Sequence, residues 1–190
     1  MKRFILSFWH TIDTFYYACT RLTYIAKHEN IFRVVIKKYR GRPLIFSPQH
    51  RIQEGDWICK IHLHNFYLAK ELQGAKSEVE MAIRFLRLIR SSLPGLAQFL
   101  SAHPQRNELV GLLGTTKLTP RSERLGFKSL FVPDTLYFQV KNVLLTLLFH
   151  IIHVNSPLGA QRQLHIPMKY LFMPLDQLFE LYLKEEASHE

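Results

Sequence analysis

Residues 56–65 read Asp56-Trp57-Ile58-Cys59-Lys60-Ile61-His62-Leu63-His64-Asn65. Successive side chains of a strand point to opposite faces. The alternation sets Trp57, Cys59, Ile61 and Leu63 on an apolar face and Lys60, His62 and His64 on a polar one. Asn65 stands at the strand exit. This is the clearest strand in the chain, and it lies among segments with helical periodicity, so the fold class turns on it.

Toward the N-terminus, Glu54-Gly55-Asp56 is a turn and Leu44 to Phe46 a short strand. Arg40-Gly41-Arg42-Pro43 turns the chain again after a β-branched and aromatic strand from Ile31 to Tyr39. Residues 4–26 repeat at helical spacing. Ser7, His10, Thr11, Thr14 and Arg21 fall near one face, and Ile5, Phe8, Trp9, Ile12, Tyr16, Cys19 and Leu22 on the other. Residues 1–28 are therefore expected to form an N-terminal amphipathic helix.

Toward the C-terminus, a helix is expected from Asn65 to about Gln73. Ser77-Glu78-Val79-Glu80 is a capping box. The helix it opens would turn Val79, Ile83, Leu86 and Ile89 inward and Arg84, Arg87 and Arg90 outward. Pro94-Gly95 would kink or split it before Leu100. Strands follow at Leu109 to Lys117 and Phe127 to Val132, separated by a helical turn that Thr119-Pro120 opens and Gly126 closes. Asp134 caps a helix to about His153 that is apolar on nearly all sides and suits the centre of a core. Lys169 to Phe172 is a last strand, and Pro174 starts a closing helix to about Lys184. Strands and helices mix without regular βαβ alternation. The expectation is one α+β domain over residues 1–190, its body at 30–186. Its sheet would be mixed or antiparallel, of about five to six short strands, packed with an apolar central helix and the N-terminal helix.

The chain of 190 residues has 25 Lys and Arg against 15 Asp and Glu, a net charge of +10. Residues 1–50 hold nine basic and two acidic side chains, while residues 151–190 hold three basic and five acidic. The N-terminal third would feel an anionic partner most. Its aromatic–basic mixture suits a membrane surface or single strands, but no nucleic-acid-binding signature accompanies it, and nucleic acid is not favoured. Met1-Lys2-Arg3-Phe4-Ile5-Leu6 imitates a secretory signal only briefly, since Asp13 interrupts the apolar run and no small-residue cleavage site follows. The longest apolar stretch, Val143 to Val154, is too short and too polar to span a bilayer alone. Cys19 and Cys59 lack metal spacing and read as small buried hydrophobes in a reducing compartment. These features point to a cytoplasmic protein, peripheral at the inner membrane surface.

Two constellations carry chemical potential. The first is Lys60, His62, His64 and Asn65. It has three readings: histidines hydrogen-bonded beneath a helix, a polar binding site, or a metal pair lacking a third ligand. No metal or other cofactor is expected. The second is the stretch 114–127, where Thr115 and Thr116 end a strand and Arg121 and Arg124 follow a helix N-terminus. It reads first as a capped turn with solvated arginines and structural glycines, and second as an anion cradle. It has neither P-loop nor dinucleotide spacing. There is no nucleophile motif of the G-x-S-x-G kind, and carboxylates are too sparse for a paired-acid glycosidase.

Five blocks in order give a family resemblance: Asn30-Ile31-Phe32-Arg33-Val34; Gly55-Asp56 leading into Lys60-Ile61-His62-Leu63-His64-Asn65; Ser92-Leu93-Pro94-Gly95; Glu123-Arg124-Leu125-Gly126-Phe127; and Tyr170-Leu171-Phe172-Met173. Through them nearly the whole chain resembles the YkoP-like family of small bacterial proteins. Similar domains occur fused behind polysaccharide deacetylase domains, so the resemblance implies an accessory role in cell-envelope glycan metabolism. It supplies no catalytic residues. The deacetylase metal signature, with paired aspartates and H-x-x-x-H, is missing here, so that activity is not inherited. The expectation is a non-catalytic module for an anionic envelope glycan or lipid-linked precursor, bound by Lys60, His62, His64, Asn65, Thr115, Thr116, Arg121 and Arg124. The alternative is a small enzyme with His62 as general base and an anion-binding turn at 115–124. That reading requires the two segments to converge.

Overall fold

The computed structural model describes residues 22–26, 29–72, 74, 75, 77–116, 122–133, 135, 138, 139 and 167–183. In chain order the elements are β1 (Thr23–Tyr24), β2 (Phe32–Lys38), β3 (Leu44–Ser47), β4 (His50–Ile52), β5 (Trp57–Leu63), α1 (Asn65–Leu72), α2 (Glu78–Ser101), β6 (Leu109–Thr116), β7 (Lys128–Phe131), β8 (Lys169–Pro174) and α3 (Leu175–Tyr182). Short 3-10 turns at Arg106–Glu108 and Ser122–Leu125 precede β6 and β7. Six strands form a mixed sheet in the order β1-β2-β5-β6-β8-β7, and β3 pairs with β4 in a separate hairpin. The protein is α+β, as the mixture of periods requires.

Among the paired strands of the described residues, only β5 with β6 is parallel. A parallel pair needs a long crossover, and α1 and α2 lie in the connection between them. The sheet face that α2 and α3 cover carries Val34, Cys59, Leu112 and Met173, packed against Leu93, Leu96, Ala97, Leu100, Leu178 and Tyr182. On the opposite face the β3–β4 hairpin buries Leu44 and Ile52 against Ile58, Leu113 and Phe172. Phe46 stacks on Phe172 there, with ring centroids 5.0 Å apart.

Hydrogen bonds at two places tie this frame together. Asn30 donates its amide to the Ser92 carbonyl at 2.8 Å and accepts the Phe32 N–H at 2.8 Å, while Ser92 Oγ accepts the Ile31 N–H at 3.2 Å. Gly95 makes room for this, since a Cβ at that position would sit 3.1 Å from the Asn30 amide nitrogen. At the far edge the Val132 N–H reaches the Met168 carbonyl at 3.1 Å, one step beyond the paired residues of β7 and β8.

Several sequence expectations need correction. Thr23 and Tyr24 are strand, not the end of a helix; they pair with Val34 and Arg33, where β-branched and aromatic side chains fit a pleated surface. Of the rest of the expected helix at 1–28, residues 22, 25 and 26 are not helical, and residues 1–21, 27 and 28 lie outside the described residues. So does nearly all of the expected central helix at 134–153; of it, Phe138 and Gln139 are helical.

Pro94 does not split α2, which continues to Ser101. An interior proline costs about 3 kcal/mol; the complete burial of Leu93, Leu96, Ala97 and Leu100 around it offsets that. Of the expected inner stripe of α2, Leu86 and Ile89 pack against the core, whereas Val79 and Ile83 do not. Val79 and Ile83 are 69% and 43% exposed, and Met81 and Phe85 are buried with Leu68 and Leu72 of α1. The stripe through Met81 and Phe85 runs on to Leu93, Leu96 and Leu100, whereas that of Val79 and Ile83 stops near Leu86; the longer stripe takes the core. Ser77 caps α2 as expected, its hydroxyl accepting the Glu80 N–H at 3.1 Å. Strand β4 was not foreseen. β8 extends two residues further than expected, so Pro174 is the cap of α3.

Candidate functional site

The face opposite the long helices divides into two halves. Register fixes the rows. Val35, Lys60, Leu113, Phe172 and Lys128 are successive cross-strand partners through β2, β5, β6, β8 and β7. One row further toward the C-terminal ends of β5 and β6 stand Arg33, His62, Thr115, Tyr170 and Leu130. Arg33 pairs with His62, and Thr115 with Tyr170, which pairs with Leu130. His62 and Thr115 lie two residues beyond the last paired step, Lys60 with Leu113, on the same face of adjoining strands. Close approach continues there, for a Cβ on Gly114 would come within 2.9 Å of the Ile61 side chain. The hairpin covers the Leu113–Phe172 half, and the half with Lys60, His62 and Thr115 is polar.

Arg33 is the anchor of that polar half. It is only 1% exposed, and its guanidinium lies 5.0 Å from the Tyr24 ring centroid. Tyr24 also meets His64 edge-on, with centroids 5.4 Å apart, and the Tyr67 ring centroid lies 6.0 Å from that of His64. His64 is thus a buried ring in contact with two tyrosines. Phe138 abuts Tyr170 edge-on at 5.7 Å and borders the row on the β8 side.

Lys60 differs from its neighbours. It is half-buried, and among the described residues no hydrogen bond or ion pair reaches its ammonium. Burial pushes its pKa below the ordinary lysine value, and the charge of Lys37 pushes the same way. A cation in that position is electrostatically unsatisfied, and an oxyanion is the chemical complement.

The structure brings Lys60, His62 and Thr115 to one surface, with His64 at its β1–β2 end. Thr116 follows Thr115 in β6 but pairs with Lys169 and so points to the other face. Arg124 stands elsewhere. It is exposed on the 3-10 turn before β7, whose neighbour Gly126 packs against Leu181, Gln177 and Met173 on the helical side. Arg121 and the Asn65 side chain lie outside what is described. Sequence reasoning missed Arg33, Tyr24 and Tyr170. Alternation places Arg33 on a strand, but only the register of β2 against β5 shows that it shares a row with His62. No helix among the described residues is long and apolar enough to cross a membrane.

With this geometry in place, comparison with known proteins is informative. The family model of the YkoP domain matches residues 2–182. The chain belongs to the YkoP family. It is also 30% identical, over 188 residues, to the uncharacterized protein YkoP of Bacillus subtilis (strain 168), a similarity that covers 98% of this chain and 100% of that one. No solved structure matches. Several of the blocks that carry the YkoP resemblance meet in space. Asn30 joins Ser92 and Gly95, and Gly126 packs on Met173. These contacts hold the YkoP scaffold; the block from Lys60 to Asn65 supplies Lys60 and His62 to the polar row.

Proposed function

We propose that this YkoP domain is a non-catalytic binding module for an anionic envelope glycan or its lipid-linked precursor, acting at the membrane surface. The observation that carries the reading is Lys60, a half-buried ammonium without a partner among the described residues, beside His62 and Thr115. The ligand's anionic group pairs with Lys60. His62 and Thr115 hydrogen-bond its hydroxyls, and Tyr170 offers an aromatic edge to a sugar ring. The overall charge of +10 favours encounter with an anionic surface. The glycan component rests on the company that similar domains keep with polysaccharide deacetylases.

Flotation with anionic and neutral liposomes, and titration with an acidic oligosaccharide, test this directly. Binding to anionic vesicles or to the acidic sugar, weakened about tenfold or more by Lys60→Gln and His62→Ala in folded protein, is the expected result. Binding by neither, or binding indifferent to both substitutions, overturns it.

The second reading, an enzyme with His62 as general base, draws on one observation: parallel strands bring the ends of β5 and β6, and hence His62 and Thr115, side by side. The position of Arg124 at the other end of the sheet removes one of its two expected anion-binding arginines.

A further inference from the structure

A second cluster occupies the hairpin end of the same sheet face. Lys128 of β7 reaches across to the β3–β4 turn, Ser47-Pro48-Gln49-His50, where its Nζ lies 2.9 Å from His50 Nδ1 and 3.5 Å from Ser47 Oγ. Ser47 Oγ is itself 2.9 Å from His50 Nδ1. All three side chains are half-buried.

The hydrogen-bond inventory of this trio does not close. An ammonium has only donors, so Nδ1 of His50 must accept from Lys128, and the neutral ring carries its proton on Nε2. The Ser47 hydroxyl then contends for the same single lone pair. Three ammonium N–H groups, one O–H and one ring N–H face one imidazole lone pair and the two of the serine oxygen. The surplus is of donors, and it carries a positive charge. Among the described residues no carboxylate pairs with Lys128, and its polar contacts there are these two neutral groups. Phe172 forms an apolar wall beside the cluster, its ring centroid 6.4 Å from that of His50.

We propose that Ser47, His50 and Lys128 form an oxyanion-binding site that takes a phosphate or carboxylate group. The oxyanion accepts from the Lys128 ammonium and from the Ser47 hydroxyl, and releases the serine from its contest for Nδ1. It neutralises a charge whose partners among the described residues are neutral, and it does so through charge-assisted hydrogen bonds, which are stronger than neutral ones. The site is separate from that of Lys60. Lys60 and Lys128 share a row but are three strand spacings apart, about 14 Å, with Leu113 and Phe172 between them under the hairpin.

The test follows the His50 ring by long-range proton–nitrogen NMR, with His50→Gln to assign its signals. Inorganic phosphate, glycerol 3-phosphate, acetate and chloride are titrated at matched ionic strength. Saturable movement of the His50 signals is expected with at least one oxyanion and not with chloride, and comparison of the three oxyanions tells phosphate from carboxylate. Lys128→Gln and Ser47→Ala should each weaken it about tenfold or more, and Lys60→Gln should leave it unchanged. Ser47→Ala serves as the deciding variant if Lys128→Gln perturbs the fold. Equal movement with chloride, no movement with any oxyanion, or full retention in a folded Ser47→Ala protein would overturn the proposal. The Lys60 reading survives each of those results, and its own failure leaves this site standing.

Discussion

Asn30 and Ser92 are sixty-two residues apart in sequence and joined by a 2.8 Å hydrogen bond in the core. The same asparagine accepts the Phe32 N–H, so one side chain fixes both the entry to β2 and the middle of α2. Replacing it with alanine leaves the Phe32 N–H without that acceptor and the Ser92 carbonyl without that donor. Asn30→Ala is expected to destabilise by about 2 kcal/mol, the usual cost of stranding buried polar groups. Urea unfolding of the variant against the parent protein measures it.

Gly111 and Gly55 both have positive φ, +155° and +94°, and differ in what a side chain would meet. A Cβ on Gly111 would stand 2.4 Å from the Met173 carbonyl oxygen and 2.8 Å from a Phe172 ring carbon, whereas one on Gly55 meets nothing within 4 Å. Gly55 has φ +94°, which only disfavours a side chain locally. Gly111→Ala should therefore cost about 3 kcal/mol and Gly55→Ala about 1 kcal/mol. Similar losses at the two sites would contradict the close approach of β6 and β8.

Lys60 makes stability pH-dependent with a definite sign. Its folded pKa is lowered, first by burial and then by Lys37, so between that value and the ordinary 10.5 the unfolded chain binds more protons. Stability attributable to Lys60 then rises with pH across that window, and its destabilising effect is fully present below it. Lys60→Met should be more stable than the parent near neutral pH, and the advantage should shrink as pH approaches 10.5. Paired unfolding curves across alkaline pH show whether the difference closes.

Cys59 is fully buried under α2, and burial pushes its thiol up to about 12. The thiolate is the reactive species. Alkylation of Cys59 at about pH 8 should proceed no faster than global unfolding, as read by peptide mapping of iodoacetamide-treated protein. Rapid labelling in the native state would mean that this face of the sheet opens.

The strands were readable where a period of two had room to repeat. Trp57 to Leu63 alternates over seven residues and was placed almost to the residue, while His50 to Ile52 offers three and was missed. Caps were readable because they are local, as at Ser77. The inner face of α2 was readable only in part, because Val79 and Ile83 are as apolar as Met81 and Phe85. Only partners elsewhere in the chain choose between two such stripes. The polar row shows the same division. Lys60 and His62 follow from alternation within one strand, but the adjacency of Thr115 and of Arg33 to His62, on its two sides, depends on pairings between segments decades of residues apart. Arg124 was grouped with Thr115 by nearness in sequence, and the reversal of the sheet carries it away.

The bond from the Val132 N–H to the Met168 carbonyl has a consequence for how the edge of the sheet opens. It continues the β7–β8 ladder one step past Phe131 and Lys169, so this end of the ladder is held by a pairing beyond its last strand residues. Fraying from that end begins outside the polar row, since Val132 and Phe131 must part from their partners before Leu130 separates from Tyr170. The Tyr170 side of the row is thereby kept in register while the tip of the strand pair breathes.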